Sequence, residues 1–221
     1  SLPKKTIHQL KEFFFNLDIS INQIFYSSYA KSINYKDNFT SIGNISFIDM
    51  GYNKTSITHY DENEIIFLQV LPIGGNYITK DLSKVLNIDL AEAEKIKIDF
   101  VKNKSGSIDK NFSLDLIQKI IFARVEEILE LCDKSIKLNR NLEKSSKFKM
   151  VLMGEGSKIL DNKFKEKISF PQEIDLLEET KIDICNSAFK LLDGSNKQEV
   201  VIIPKKLLKE GFFEKLFHFF K

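Results

Sequence analysis

Residues 43–50 read GNISFIDM, residues 55–60 TSITHY and residues 65–71 IIFLQVL. The first run is apolar and rich in β-branched side chains, the composition of a buried strand. Gly51-Tyr52-Asn53 breaks it with a turn signal, and Asp61-Glu62-Asn63 does the same after the second run. Three short strands joined by tight turns predict an antiparallel meander. It is apolar enough to lie at the centre of a sheet covered by helices.

Outward from this meander the pattern changes from a period of two to one near 3.6. Pro72-Ile73-Gly74-Gly75-Asn76 punctuates the chain, and Thr79 to Leu86 and Leu90 to Phe100 follow with helical spacing. Val101 to Asn111, with Ser105-Gly106-Ser107, reads as an exposed connection. Ser113 is an N-cap candidate for the longest helix. Its stripe is Ile117, Ile120, Ile121, Val125, Ile128, Leu131, Cys132 and Ile136. Lys147 to Met153 is a further strand, ending in Gly154-Glu155-Gly156, with a helix expected to about Glu166. Ile184 to Leu192 closes the globular part with a helix, and Asp193 to Pro204 reads as a linker. On the N-terminal side Lys5 to Phe15 is a short helix. Ile19 to Tyr29 reads as a strand running into another helix. Strands alternating with helices in this way define an α/β fold.

Composition removes several classes of function. The 221 residues carry 33 Lys plus Arg against 31 Asp plus Glu, a net charge of +2, so no nucleic-acid partner is expected. No apolar stretch reaches the length of a membrane-spanning helix. Cys132 and Cys185 stand too far apart for a metal motif and read as buried thiols in a reducing cytoplasm rather than a disulfide framework. His8, His59 and His218 have no spaced partners for metal or triad chemistry.

The order of features from Phe47 to Lys97 carries a family resemblance. Ile48-Asp49-Met50-Gly51 precedes a hairpin. Val70-Leu71-Pro72-Ile73-Gly74-Gly75-Asn76, Ile78-Thr79-Lys80-Asp81-Leu82 and Ala91-Glu92-Ala93-Glu94-Lys95-Ile96-Lys97 follow. This series resembles FtsA, the bacterial cell-division branch of the actin, sugar-kinase and heat-shock-70 superfamily. Arg124 to Leu131 is similar to the long helix of that family, and Val151-Leu152-Met153-Gly154 to the strand and turn of its adenosine motif. The resemblance implies an actin-like (ribonuclease-H-like) fold. Residues 1–42 would end a first lobe and supply the crossover helix. Residues 43–86 and 147–193 would form subdomain 2A, and 87–146 subdomain 2B. Residues 194–209 would be a linker and 210–221 an amphipathic helix. By the same resemblance, an N-terminal half with the first phosphate loop and an inserted subdomain would precede Ser1.

The resemblance further implies an ATP site with Mg²⁺. Asp49 aligns with the carboxylate that acts near the metal and its waters. Gly51, Lys54 and Thr55 stand where backbone and hydroxyl meet the phosphates, and Gly154 and Gly156 face the adenosine. The run Gly51-Tyr52-Asn53-Lys54 departs from the family's glycines and threonine, and Glu155 follows Gly154 in place of a second glycine. A side chain on Tyr52 obstructs close backbone approach. These departures favour a binding fold over a turnover enzyme, with an active ATPase as the alternative. Asp49 also has a plain reading as a turn-capping residue after a strand.

The last segment needs no family argument. At 100° per residue, Phe212, Phe213, Leu216, Phe217, Phe219 and Phe220 fall within an arc of roughly 160°. Glu214, Lys215, His218 and Lys221 occupy the opposite side, and Lys205, Lys206 and Lys209 lie upstream. So many phenylalanines must be buried, either against the protein's own core or in a bilayer interface, with lysines meeting anionic headgroups. The polar tether before them favours the membrane. In the family such a helix holds the protein at the cytoplasmic face of the inner membrane at the division site. Subdomain 2B binds the C-terminal peptide of FtsZ, the protein self-associates into filaments, and other division proteins join it. Arg124 and Glu127 match an Arg-x-x-Glu pair in the region of that contact. They read equally as an ordinary i,i+3 ion pair. A related actin-like pilus-assembly protein is the other alternative.

Overall fold

A computed structural model describes residues 3–21, 23–39, 41–102, 112–140, 147–160, 164 and 170–192. The three expected strands form as β1 (Asn44–Met50), β2 (Thr55–Asp61) and β3 (Glu64–Leu71), each antiparallel to the next. The turn between β2 and β3 places Glu62 and Asn63 at positive φ, which Asn tolerates better than most residues. Two further strands, β4 (Lys149–Met153) and β5 (Glu173–Leu176), continue the sheet in parallel beyond β1, giving the order β3-β2-β1-β4-β5.

The strand β5 is absent from the sequence reading. At four residues its alternation is too brief to stand out, and its place is set by partners rather than by propensity. Lys149 Nζ on β4 reaches Asp175 Oδ2 at 2.8 Å and Glu173 Oε1 at 2.9 Å. Hydrogen bonds to Asp175 and then Glu173 raise the affinity of that lysine for its proton.

Six helices accompany the sheet among the described residues: α1 (Lys4–Phe15), α2 (Ser27–Lys36), α3 (Gly75–Leu86), α4 (Leu90–Val101), α5 (Leu114–Arg140) and α6 (Lys181–Leu192). Ser113 Oγ accepts from the Leu116 N–H at 3.4 Å, and Asp89 Oδ1 from the Glu92 N–H at 2.8 Å, so α5 and α4 start where capping places them. The described residues between 19 and 26 form no strand. The Tyr26 hydroxyl bonds Ser56 Oγ on β2, so this segment crosses a sheet face instead of pairing along an edge. After Gly154 the chain makes a 3-10 turn over Glu155–Ile159 and is extended at Leu160, so no α-helix follows the glycine turn directly; within the expected span to Glu166, Phe164 is helical.

The sheet has one core on each face. Ile48, Met50, Ile57, Met150 and Leu152 pack with α3, α4 and α5. Ile45, Phe47, Tyr60, Val151 and Met153 form the other core, with Tyr35 of α2 against it. The α5 stripe lies in the first core, sharing it with the strands, although the sequence reading grouped this helix with residues 87–146. Within the stripe Leu129 is buried and Leu131 is exposed, the reverse of expectation. Leu129 lies one helical turn after Val125 and continues its face, whereas Leu131 falls at the opposite edge of the stripe and reaches solvent. Among the described residues no helix is long and apolar enough to cross a membrane.

The two thiols differ sharply. Cys132 is buried in this core, and burial, followed by the charge of Asp133, pushes it up to about 12; Cys185 is exposed on α6, which corrects the expectation that both thiols are buried. A disulfide-exchange reagent at pH 8 is expected to titrate Cys185 alone in the folded protein and both thiols in denaturant. Equal rates for both in the native state would contradict this packing.

Candidate functional site

A cleft of about 290 Å³ opens where the β1–β2 turn, the start of α3, α4 and the turn after β4 converge. Gly51, Tyr52 and Gly75 form one side, Glu94, Lys97 and Ile98 of α4 the second, and Glu155, Gly156, Lys158 and Ile159 the third. Its size lies at the lower end of ligand pockets, which run from roughly 300 to 1,000 Å³.

The β1–β2 turn is clamped to α3 by two backbone hydrogen bonds, and Asn76 Nδ2 of α3 also donates to Asn53 Oδ1 of the turn at 3.1 Å. The Gly75 N–H donates to the Gly51 carbonyl at 3.0 Å and the Asn76 N–H to the Tyr52 carbonyl at 2.7 Å. A Cβ on Gly74 would stand 2.5 Å from the Gly51 oxygen and 2.8 Å from that of Tyr52, so only glycine lets the two segments meet. This clamp starts α3 four residues before its expected beginning. It also spends the first amides of the helix, which would otherwise attract an anion. Across the cleft Lys97 Nζ donates to Glu94 Oε2 (2.6 Å), Thr79 Oγ1 (2.8 Å) and the Gly75 carbonyl (3.2 Å). It lies 5.4 Å from the centre of the Tyr52 ring. The lysine thus fastens α4 to α3 and presents Tyr52 and Glu94 to the cleft.

Of the residues singled out from sequence, Gly51 and Gly156 line this cleft. Lys54 lies on the surface outside its walls, its carbonyl accepting the Gly51 N–H at 2.9 Å to close the turn. Thr55 requires a correction. It is fully buried and its hydroxyl donates to the Ile73 carbonyl at 2.7 Å, so it faces the interior rather than a phosphate. Gly154 sits behind the cleft at φ +91°, where a Cβ would press on Asp49 Oδ1 and stand 2.7 Å from the Met50 carbonyl.

Asp49 does not stand ready for a metal. Along β1 alternate side chains share a face, so Asp49 points with Ile45 and Phe47 toward α2. There Lys31 Nζ meets Asp49 Oδ1 at 2.8 Å and Glu179 Oε2 at 3.0 Å, and Glu179 Oε2 accepts the Gly154 N–H at 2.6 Å. The carboxylate already has a cation, and the donor set does not fit Mg²⁺ beside it. Lys31 and Glu179 were invisible to the sequence reading, because residues 31, 49, 154 and 179 share no local motif. Glu94 and Lys97 lie in the Ala91–Lys97 segment, and their i,i+3 spacing on a helix was the available signal.

Arg124 and Glu127 are together on α5 and bond each other. The Arg124 fork is also taken by Asp81 of α3, with Nη2 to Oδ1 at 2.9 Å and Nε to Oδ2, and the guanidinium lies 5.8 Å from the Tyr77 ring. Hydrogen bonding to Asp81 raises the already high affinity of Arg124 for its proton. The pair fastens α5 to α3. Phe212, Phe213, Lys215, Leu216, Phe217, Phe219, Phe220 and Lys221 lie outside the described residues.

The sheet order, the two cored faces and a cleft between a hairpin turn and a post-strand glycine turn define an actin-like domain. MreB5 of Spiroplasma citri, solved bound to AMPPNP, superimposes with a TM-score of 0.62 at 15% identity, covering 87% of this chain and 66% of that one. A PilM–PilN type IV pilus biogenesis complex matches with a TM-score of 0.52 at 17% identity, over 71% of this chain and 43% of its counterpart. The family is narrower than the fold. The model for cell division protein FtsA matches residues 46–162, over half of the 221 residues, and the chain belongs to that family. FtsA of Buchnera aphidicola from Acyrthosiphon pisum is 28% identical over 90% of this chain and 55% of its own length. FtsA of Enterococcus faecalis is 31% identical over 58% of this chain and 32% of its own. The chain spans about half the length, or less, of the curated relatives it matches.

Proposed function

We infer that this protein is a division adaptor that tethers FtsZ filaments to the cytoplasmic face of the inner membrane and assembles, through self-association, at the division site. Membership of the FtsA family supports the division role. The observation that carries the tether is the terminal run Phe212 to Lys221, whose apolar arc and lysine-bearing opposite side suit a bilayer interface. Burial of that face contributes several kcal/mol, at about 25 cal/mol per Å². One such helix binds reversibly, so filament formation would add the avidity that residence requires.

The cleft beside Tyr52, Glu94 and Lys97 is read as a nucleotide site, with the AMPPNP complex of MreB5 supporting the analogy. The first amides of α3 and the carboxylate of Asp49 already have partners, which favours binding over turnover. An FtsZ tail at α5 would compete with Asp81 for the Arg124 fork. The pilus-assembly alternative shares the fold, and the family match favours division.

Co-sedimentation tests the tether as a whole. With anionic vesicles, FtsZ and the full chain, FtsZ is expected in the vesicle pellet. Removal of residues 212–221 should return it to the supernatant. Unchanged FtsZ pelleting after that deletion would overturn the reading.

A further inference from the structure

We propose that Lys31 is a resident cation, occupying the position at Asp49 and Glu179 that a divalent metal would need and making this end of the domain independent of metal. Three segments remote in sequence meet at its ammonium. Lys31 lies on α2, Asp49 near the end of β1, and Glu179 just before α6. Both carboxylates are within 3.0 Å of Nζ, and Glu179 Oε2 also takes the backbone N–H of Gly154.

Burial makes the arrangement consequential. The side chains of Lys31, Asp49 and Glu179 are 4%, 14% and 7% exposed, so bulk water screens them little. Two carboxylates held together in such surroundings demand a counter-charge, because an unpaired buried charge is far costlier than a paired one. Lys31 supplies it from within the fold. Gly154 is part of the same device. With no side chain it lets Asp49 Oδ1 lie against its Cα, while its amide orients Glu179. The second oxygen of Glu179 is buried with no hydrogen-bond partner among the described protein atoms. A lysine accounts for one oxygen of each carboxylate, and a multivalent ion placed there after its removal would find that spare acceptor. This inference concerns the counter-charge of Asp49 and does not rest on the nucleotide reading of the cleft.

The test uses Mn²⁺ as a magnetic probe on the full 221-residue chain, read by electron paramagnetic resonance, beside thermal unfolding in EDTA or Mg²⁺ at matched ionic strength. The wild type is expected to hold no Mn²⁺ dependent on Asp49 and to unfold at the same temperature in both buffers. Lys31→Gln should lower the midpoint by roughly 10 °C, the scale for removing one partner of a buried ion pair. The variant should also gain Mn²⁺ binding that a second substitution, Asp49→Asn, removes. Mn²⁺ binding by the wild type that is lost in Asp49→Asn would overturn the proposal. So would a Lys31→Gln protein with an unchanged midpoint and no acquired metal. If Lys31→Gln does not fold, the double variant Lys31→Met/Asp49→Asn decides. Recovery of a folded protein supports charge neutralisation. Failure to fold makes Lys31 a packing residue and ends the proposal.

Discussion

Gly154→Ala is expected to destabilise the protein by about 4 kcal/mol, combining a strained backbone with an overfilled junction. The residue adopts φ +91°, a conformation costly for any side chain. The added methyl would press on Asp49 Oδ1 and stand 2.7 Å from the Met50 carbonyl oxygen. Neither neighbour can yield cheaply. Met50 belongs to the central strand, and Asp49 is held by the buried Lys31 ammonium. Since domains retain only about 5–15 kcal/mol in total, the variant should be marginally folded. Urea unfolding followed by far-ultraviolet circular dichroism measures the loss. Gly43→Ala is the control, because a Cβ there meets nothing within 4 Å and should change stability by less than about 0.5 kcal/mol. A Gly154→Ala protein as stable as the control would refute the crowding of this turn.

Phe47→Ala should cost about 3–5 kcal/mol, the range for deleting a buried aromatic side chain. Phe47 is fully buried in the middle of β1, opposite Thr58 of β2 and Val151 of β4. Its ring stands edge-on to Tyr60, with centroids 5.8 Å apart and planes at 86°, and edge-on to Phe39 at 6.0 Å. Such pairings add to area burial. Collapse into the gap is resisted because Phe47 lies between strands whose positions are set by ladders on both sides. The Tyr60 hydroxyl is also fixed to Ser32 Oγ at 2.9 Å. A loss below about 1 kcal/mol in the same urea experiment would show that this second core is loosely packed.

Much of the fold was legible because its signals are local. The GNISFIDM run, its turn and the two following strands announced the meander. The spacing Ile117, Ile121, Val125, Ile128 announced the face of α5, and Ser113 its start. The family resemblance was carried by contiguous stretches and is upheld by the family model and the actin-like fold. The candidate site was legible in part. Gly51 and Gly156 do line the cleft, whereas Thr55 turns inward to the Ile73 carbonyl. The reversal at Thr55 follows from alternation along β2, where a one-residue offset exchanges the faces of the sheet.

By itself, the sequence determined the strands and helices whose periodicity is internal to one segment, and the apolar arc of the terminal run. Only the tertiary structure decided that β5 pairs with β4, where Lys149 meets its two carboxylates, and that Asp49 faces α2 and meets Lys31. It alone showed that the amides opening α3 are spent on the β1–β2 turn. The physical reason is the same in each case. A residue's own neighbours in the chain set its backbone preference, but the partner of a buried charge or an open amide is chosen by which distant segment packs beside it.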